Sequence, residues 1–269
     1  MPAPPGLIGR LMAKINDPDS SVDEVAKILG SDPTSSVRLL KLANSAFYGM
    51  MGKISTVQRA VVVLGFKTVY SLVVTIWTHT LAARSRDADE FRLLSSMFAH
   101  GLTSAISASL LVRSRESVIP DDAFMAGLLH DIGRTALVCQ LGKDYEDRVL
   151  LPAEHGNQSL TELELSVLGF SHTELGAELM SQWHLPQFLS AVAARHHDAE
   201  IDRDSEPLLA AVMLADSLAT VSGSNVAPGA NRPDRTELRA GFGVAEEEDV
   251  QAHADECQTQ LQSFLEALR

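Results

Sequence analysis

Seven histidine and aspartate side chains in the second half of the chain have the chemistry and the helical spacing of a buried metal site. They are His100, His130, Asp131, His172, His196, His197 and Asp216. Imidazole and carboxylate groups are the usual protein ligands of divalent transition metals such as Zn, Mn and Fe. Two such ions about 3.5–4 Å apart suit phosphoester hydrolysis, because together they activate water and stabilise the leaving oxygen. The residue types therefore predict a centre for one or two divalent ions (Fe, Mn or Zn).

Helical periodicity places two of these side chains on apolar faces. In PLLAAVMLADSLA, Asp216 continues an i, i+3, i+4, i+7 series that begins at Leu209. A carboxylate on such a face is costly to bury without a partner. His196 continues the same kind of series in LPQFLSAVAARHH, and His197 lies about 100° farther around that helix. These positions predict inward-facing polar groups that need partners.

The other candidates lie in segments that favour close helix packing or a defined helix start. AGLLHDIGRTAL is predicted to be a buried helix in which His130 shares a face with small residues, so that another helix can approach closely. The adjacent Asp131 faces another direction, but a carboxylate can bridge two ions while its neighbour binds one of them. His100 begins FAHGLTSAISASLL, which is also rich in small residues. A Ser-x-x-Glu capping box in SHTELGAELM places His172 at the first helical position.

Each candidate also has a structural interpretation. A single buried histidine is more often a hydrogen-bonded core residue than a ligand, and His130 with Asp131 could form a hydrogen bond between helices. Asp216 could bind a backbone amide, and His197 could be solvated. Spacing alone leaves packing and metal binding as equal alternatives, although all seven residues fall on four or five helices with inward phase.

Composition and charge limit the classes of function. Of the 269 residues 45% are hydrophobic but only 5% aromatic, and Ala, Leu and Val dominate, which favours an all-α fold. The net charge is −13, and residues 91–269 hold twelve basic and twenty-seven acidic residues. This acidic half argues against nucleic acid as a partner, because such binding usually needs a basic face.

The chain carries no sequence signal for a membrane or an oxidising compartment. The longest apolar run is broken by Gly65, Lys67 and Thr68, so we expect no membrane contact. The first residues lack a charged start and an apolar stretch, and the two cysteines, Cys139 and Cys257, suggest no disulfide framework. We therefore expect a cytoplasmic protein.

The organisation of the chain suggests three parts. Residues 1–90 read as an N-terminal helical subdomain with short connections and a break near Gly65, and residues 91–220 as a second helical subdomain. The charged residues 83–92 are predicted to be a surface link. Residues 221–269 are predicted to be a loop, to about residue 238, followed by a final helix.

These segments resemble the HDOD domain, a signalling-output relative of the HD metal-dependent phosphohydrolases. The similarity is carried by DPDSSVDEVAKILGSDPTSSVRLLKLANSAFYG and ISTVQRAVVVLGFKTVYSLVV in the first half, and by AGLLHDIGRTAL, SHTELGAELMSQWHLP and ARHHD in the second. It runs from about residue 5 to about residue 220. The resemblance implies an HD-domain-like multi-helix bundle with an N-terminal helical subdomain. It also implies a noncatalytic regulatory module that commonly accompanies signalling domains.

The related HD-GYP phosphodiesterases cleave cyclic di-GMP, and the resemblance carries their metal ligands onto the same seven residues. Three departures from their pattern bear on activity. Ser96 stands where three-metal enzymes have a glutamate, which argues against a third ion. Arg134 replaces a phosphate-contacting lysine and keeps its charge in a different shape. HHDAEIDRDSEP lacks the glycines and the tyrosine of the GYP loop, so the part that recognises the substrate is missing.

Two functions follow from these observations. The favoured one is a signalling or regulatory output module that acts by binding a protein or a small ligand, with signalling proteins as partners. The alternative is a metal-dependent phosphohydrolase acting on a nucleotide or cyclic dinucleotide. In that case Asp131 would serve as a metal ligand in catalysis, and Arg134 would stabilise charge on the phosphate. The oligomeric state is left open.

Overall fold

A computed structural model describes residues 6–15, 17, 19–50, 52–85, 87–221 and 235–268, and within these ranges every regular element is a helix. The predicted all-α class is confirmed. The α-helices are α1 (Gly6–Ile15), α2 (Val22–Gly30), α3 (Pro33–Ala43), α4 (Val57–Ala83), α5 (Ala88–Val112), α6 (Pro120–Leu129), α7 (Ile132–Leu141), α8 (Lys143–Tyr145), α9 (Leu151–His155), α10 (Leu160–Leu168), α11 (His172–Gln182), α12 (Gln187–Arg195), α13 (Pro207–Val221), α14 (Thr236–Gly241) and α15 (Glu247–Leu268). A 3₁₀ turn covers Ala46–Tyr48, and a π-helical turn covers Glu146–Leu150.

Local capping rules account for several helix starts. Ser21 caps α2 in a capping box with Glu24, and a second box caps α11 so that His172 is its first residue, as the sequence predicted. The Asp32 side chain accepts the first free amides of α3, which Pro33 opens. These ends depend on neighbouring residues alone, which is why they can be recognised in the sequence.

The chain folds as two compact units. One is Leu81–Cys257, which contains all seven candidate ligands; the other combines Pro2–Thr80 with Gln258–Arg269. The predicted subdomain limits at residues 90 and 220 stay predictions. Most of the predicted loop, residues 222–234, lies outside the described residues.

In the unit that combines Pro2–Thr80 with Gln258–Arg269, residues from the first part of the chain contact the last helix. Asn44, the C-cap of α3, donates from Nδ2 to the Ile54 carbonyl (2.7 Å) and accepts from the Ile54 amide through Oδ1 (3.0 Å). Phe47 packs edge-on against Phe264 of α15, with ring centroids 5.2 Å apart. The turn after α3 is thus fixed by backbone hydrogen bonds and by an aromatic contact.

Helix α5 is the central element of the unit that carries the candidate ligands. It is buried along most of its length and packs against α6 and α13, while α11 packs against α7 and α12. Small residues permit the closest contact: a Cβ at Gly127 would lie 2.7 Å from the Ser104 carbonyl oxygen, and one at Gly101 would lie 2.9 Å from that of Leu128. The close approach predicted from the small neighbours of His130 is confirmed.

Two predictions about helix limits were wrong. AGLLHDIGRTAL is not one helix, because α6 ends at Leu129 and α7 begins at Ile132. The charged segment 83–92 is not all link either: Asp87 caps α5, and residues 88–92 form its first turns. Charged residues suit the exposed start of a helix as well as a loop, and charge alone did not distinguish the two.

Two helices, Val57–Ala83 and Ala88–Val112, are long and apolar enough to cross a membrane by length and composition. Of their most apolar windows, 67% and 78% are buried inside the protein, which is the situation of core helices. Gly65 also interrupts α4 with non-helical angles (φ 84°, ψ 166°), at the predicted break. The expectation of no membrane contact stays a prediction.

Candidate metal centre

The break between α6 and α7 presents two adjacent polar side chains to one point. His130 is the C-cap of α6, and Asp131 precedes α7 with φ −100° and ψ 20°. Neighbours in an unbroken helix diverge by about 100°, but the change of direction here lets both side chains face the same cluster. The break thus removes the difficulty that an unbroken helix would have posed for this pair.

One carboxylate oxygen of Asp131 faces two imidazoles. Oδ1 lies 3.3 Å from Nε2 of His172 and 3.3 Å from Nε2 of His196. His197 follows at the end of α12, with its ring centroid 4.1 Å from that of His196. Donor atoms of these four residues lie within 4.8 Å of one another and could hold one ion.

The other oxygen of Asp131 faces a second group. Oδ2 lies 3.6 Å from Nε2 of His130 and 3.8 Å from Nε2 of His100. Asp216 of α13 closes this side, with Oδ1 3.1 Å from the His100 nitrogen and 3.9 Å from the His130 nitrogen. His100, His130 and Asp216 form a second possible set of donors. Asp131 lies between the two sets, as a bridging carboxylate would.

Backbone carbonyl groups orient two of the imidazoles. Nδ1 of His130 donates to the Gly127 carbonyl oxygen (2.7 Å), and Nδ1 of His196 donates to that of Ala193 (2.9 Å). A donating Nδ1 leaves the Nε2 lone pair available, which is the usual arrangement of a metal-bound histidine. Nε2 makes no hydrogen bond to the described residues and is buried in each of His130, His172, His196 and His197. Buried polar atoms are normally satisfied, so these convergent nitrogens fit a cation.

The surroundings shift the pKa values of several groups in the cluster. Burial opposes the charged form of Asp131, but the Arg134 guanidinium and the nearby imidazoles hold its pKa well below the ordinary value. Burial lowers the pKa of His130 to about 4 and that of His197 well below its usual range. At neutral pH the carboxylate is ionised and these two imidazoles are neutral, and both forms are those that bind metal.

Arg134 contributes a buried positive charge beside the cluster. Its Nη1 donates to Asp131 Oδ2 at 2.7 Å, while Nε and Nη2 are buried and make no hydrogen bond to the described residues. Burial opposes the charge on the guanidinium, but Asp131 raises its pKa above the ordinary value. The side chain thus neutralises part of the carboxylate charge and retains N–H groups on two nitrogens, Nε and Nη2, that could bind an anion.

Two buried residues behind His172 were missed by the sequence reasoning. Glu164 of α10 accepts from Nδ1 of His172 at 2.6 Å and from its backbone amide at 2.7 Å, and it also accepts from the Tyr145 hydroxyl. Burial opposes protonation of His172, but Glu164 and Asp131 raise its pKa to about 9. The signal was present: Glu164 continues an apolar series with Leu160 and Val167, which is the pattern that singled out Asp216.

All seven predicted ligands therefore lie together in one cluster, in two groups joined by Asp131. Histidine nitrogens with carboxylate oxygens suit Zn, Mn or Fe. Ligation by these residues stays a prediction, and so does the identity of the metal.

Comparison with known proteins identifies the family of the chain. A model of the HDOD domain family matches residues 1–199. An uncharacterized protein of Treponema pallidum (strain Nichols) is 22% identical over 216 residues, which is 80% of this chain and 41% of that protein. The chain thus spans less than half the length of this curated relative.

Solved structures share the fold over nearly the whole chain. An HDOD domain protein of unknown function from Geobacter sulfurreducens has a TM-score of 0.75 and 26% identity, covering 100% of this chain and 92% of that one. A candidate metal-dependent phosphohydrolase from Shewanella amazonensis SB2B has a TM-score of 0.72 and 20% identity, covering 98% and 92%. A candidate signal transduction protein from Marinobacter aquaeolei VT8 has a TM-score of 0.70 and 22% identity, and the match covers 100% of this chain and 59% of that one. The last two likenesses establish the fold alone.

Proposed function

Because the chain belongs to the HDOD family, we propose that it is a metal-binding regulatory module that acts through a protein or small-ligand partner. The observation that carries the metal centre is the convergence of buried imidazole nitrogens around Asp131 without hydrogen-bond partners among the described residues. Signalling proteins are the proposed partners. We place the module in the cytoplasm, where its two free cysteines would stay reduced.

Two groups of residues would bind metal. Asp131, His172, His196 and His197 would hold one ion, and His100, His130 and Asp216 would hold a second ion or enlarge the first site. A bound divalent ion would supply positive charge and Lewis acidity at this point. The chain itself contributes oriented imidazole nitrogens, the Asp131 carboxylate between the two donor groups, and a largely buried setting.

Enclosure of the donors supports regulation over turnover. The side chains of His130, His172 and His196 are 0% exposed, and that of Asp131 is 12% exposed. A catalytic metal site keeps an open position for water or substrate, whereas these donors are covered by the helices that carry them.

One observation favours the second candidate, a metal-dependent phosphohydrolase for nucleotides or cyclic dinucleotides. Arg134 keeps two buried nitrogens, Nε and Nη2, whose N–H groups have no hydrogen-bond partner among the described residues, and phosphate oxygens would satisfy them. In that role Arg134 would orient the phosphate and stabilise the negative charge that develops on it.

Metal content and hydrolysis, measured on the same protein, separate the two candidates. We expect purified protein to contain Fe, Mn or Zn by mass spectrometry, and metal-loaded protein to leave cyclic di-GMP, cyclic di-AMP and bis-p-nitrophenyl phosphate intact. Asp131→Asn and His196→Gln should lose the metal, while His155→Gln, at an exposed histidine, should retain it. Turnover that disappears in Asp131→Asn would establish the phosphohydrolase instead. Protein that binds no metal after reloading would refute the metal centre.

A further inference from the structure

We propose that Glu164, held in place by Tyr145, is a positioning residue for the metal ligand His172 and strengthens the metal affinity of the centre. This inference rests on the proposed metal-binding function and adds to it two residues outside the ligand set. Glu164 is not a ligand itself, because its carboxylate lies on the Nδ1 side of His172 and the Asp131 cluster lies on the Nε2 side.

The geometry forms a continuous chain of hydrogen bonds. The Tyr145 hydroxyl donates to Oε1 of Glu164, and Nδ1 of His172 donates to Oε2 at 2.6 Å. Nε2 of the same ring then lies 3.3 Å from Asp131 Oδ1. Tyr145, Glu164 and His172 each have 0% of their surface exposed, so water does not compete for these hydrogen bonds. The Nδ1 proton is thereby held on the side of Glu164, and the orientation of the imidazole is fixed.

His172 differs from His130 and His196 in the charge of its acceptor. Nδ1 of His130 and of His196 donates to a neutral backbone carbonyl oxygen, whereas Nδ1 of His172 donates to a carboxylate. Carboxylate acceptors behind metal-bound histidines raise the basicity of the ligand nitrogen and hold the ring in place. His172 should therefore be a stronger imidazole donor than His130 or His196.

A purely structural role explains this arrangement less well. A buried carboxylate is expensive, and a well-packed apolar residue usually serves stability as well or better. Glu164 does accept the backbone amide of His172 and so contributes to the start of α11. That start already has its own capping box, between Ser171 and Glu174. The function left for the negative charge is to act on the imidazole.

Metal titration of the full-length chain tests this role. Chelator-stripped protein is titrated with Co²⁺, whose visible absorption reports both affinity and coordination geometry. We expect Glu164→Gln to bind Co²⁺ about 10- to 100-fold more weakly than wild type, the range typical of lost outer-shell partners, with an altered spectrum. Glu162→Gln, on the same helix and with the same change in charge, leaves its exposed capping box intact and should bind within about twofold of wild type.

Unfolding curves with and without Co²⁺ distinguish positioning from general stability. A positioning role predicts that Glu164→Gln loses more of the Co²⁺-induced rise in Tm than of the metal-free Tm. Equal loss in both conditions, or wild-type affinity and spectrum, would overturn the inference while the proposed function stands. Wild type that binds no Co²⁺ would refute the proposed function itself, and the inference with it.

Tyr145→Phe keeps the test decisive if Glu164→Gln does not fold. Removal of the hydroxyl leaves the ring in its core position and frees Oε1 of Glu164. We expect Co²⁺ affinity to fall by about three- to tenfold, which is less than in Glu164→Gln. The hydrogen bond between Glu164 and His172 is kept, but the Tyr145 hydroxyl no longer holds the Glu164 carboxylate in position. Unchanged affinity and spectrum would contradict the role of Tyr145 and, without a folded Glu164→Gln, the proposal as a whole.

Discussion

Gly133→Ala should separate the two helices that bring Asp131 and His172 together. Gly133 lies in the first turn of α7, where a Cβ would be 2.0 Å from the His172 carbonyl oxygen and 2.8 Å from the Gly176 amide nitrogen. Both are backbone atoms, so no side-chain rotation can relieve the contact. Since real Cβ atoms essentially never lie closer than 3.0 Å to another heavy atom, α7 and α11 must move apart by at least about 1 Å.

The cost can be estimated from the same contact. Overpacking a close-packed interior typically costs about 1–3 kcal/mol, and a rigid backbone contact falls at the upper end of that range. Alanine's higher helix propensity returns at most about 1 kcal/mol. We therefore expect Gly133→Ala to lower the free energy of unfolding by about 2–3 kcal/mol. It should also weaken metal binding, because the distance between Asp131 and His172 grows.

Gly176→Ala is the matched control, since it faces the same interface from α11. A Cβ there would lie 3.3 Å from the Gly133 amide nitrogen and 3.6 Å from the Cβ of Ala193, so small adjustments suffice. Its free energy of unfolding should stay within about 1 kcal/mol of wild type. Urea denaturation and metal titration of both variants provide the test. A Gly133→Ala protein as stable and as metal-competent as Gly176→Ala would refute the account of this helix contact.

Three further predictions concern other parts of the chain. Asp32→Ala removes the N-cap of α3 and should cost about 1 kcal/mol in urea denaturation; an unchanged midpoint would contradict the capping role. Asn44→Ala leaves the amide and carbonyl of Ile54 without their side-chain partner and should cost about 2 kcal/mol by the same assay, whereas a loss below about 0.5 kcal/mol would indicate that water replaces it. In chelator-treated protein the pKa of His130 is about 4 when folded and about 6.5 when unfolded. The unfolded state therefore binds more protons between these values, and His130 should contribute a loss of stability on the order of 3 kcal/mol as the pH falls through this range. Thermal unfolding at pH 7, 5 and 4 checks this, and a profile no flatter in His130→Gln would contradict the assignment.

Much of the site could be predicted because its signals are local or periodic. The capping box before His172 depends on residues within one turn, and the inward phase of Asp216 and His196 follows from 3.6-residue periodicity. Similarity to HDOD segments added the expectation that these positions meet. The break at Asp131 could not be predicted, because no proline or helix-ending glycine marks it and both flanking segments are apolar. It accompanies tertiary packing that the two helices only partly share: both contact α5, but α6 also contacts α12 and α13, whereas α7 contacts α11.

For Glu164, helical periodicity was sufficient to predict an inward-facing side chain but not to predict its partner. The sequence places this carboxylate on an apolar face of α10, yet only the fold places it behind His172, eight residues away. Pairing of a buried charge is decided by which helices meet, and that information is nonlocal.

Charge balance links the ligand cluster to the residues behind it. Asp131, which is largely covered, and the buried Glu164 have lowered pKa values, and Asp216 adds another buried carboxyl group. Against these acids the cluster provides the guanidinium of Arg134 and a proton on His172, whose pKa is raised to about 9. Buried charge of one sign is expensive unless it is neutralised. A divalent ion would take over the role of the His172 proton and add one further positive charge, so metal binding near neutral pH should release that proton and leave the carboxyl groups better compensated than protonation alone can.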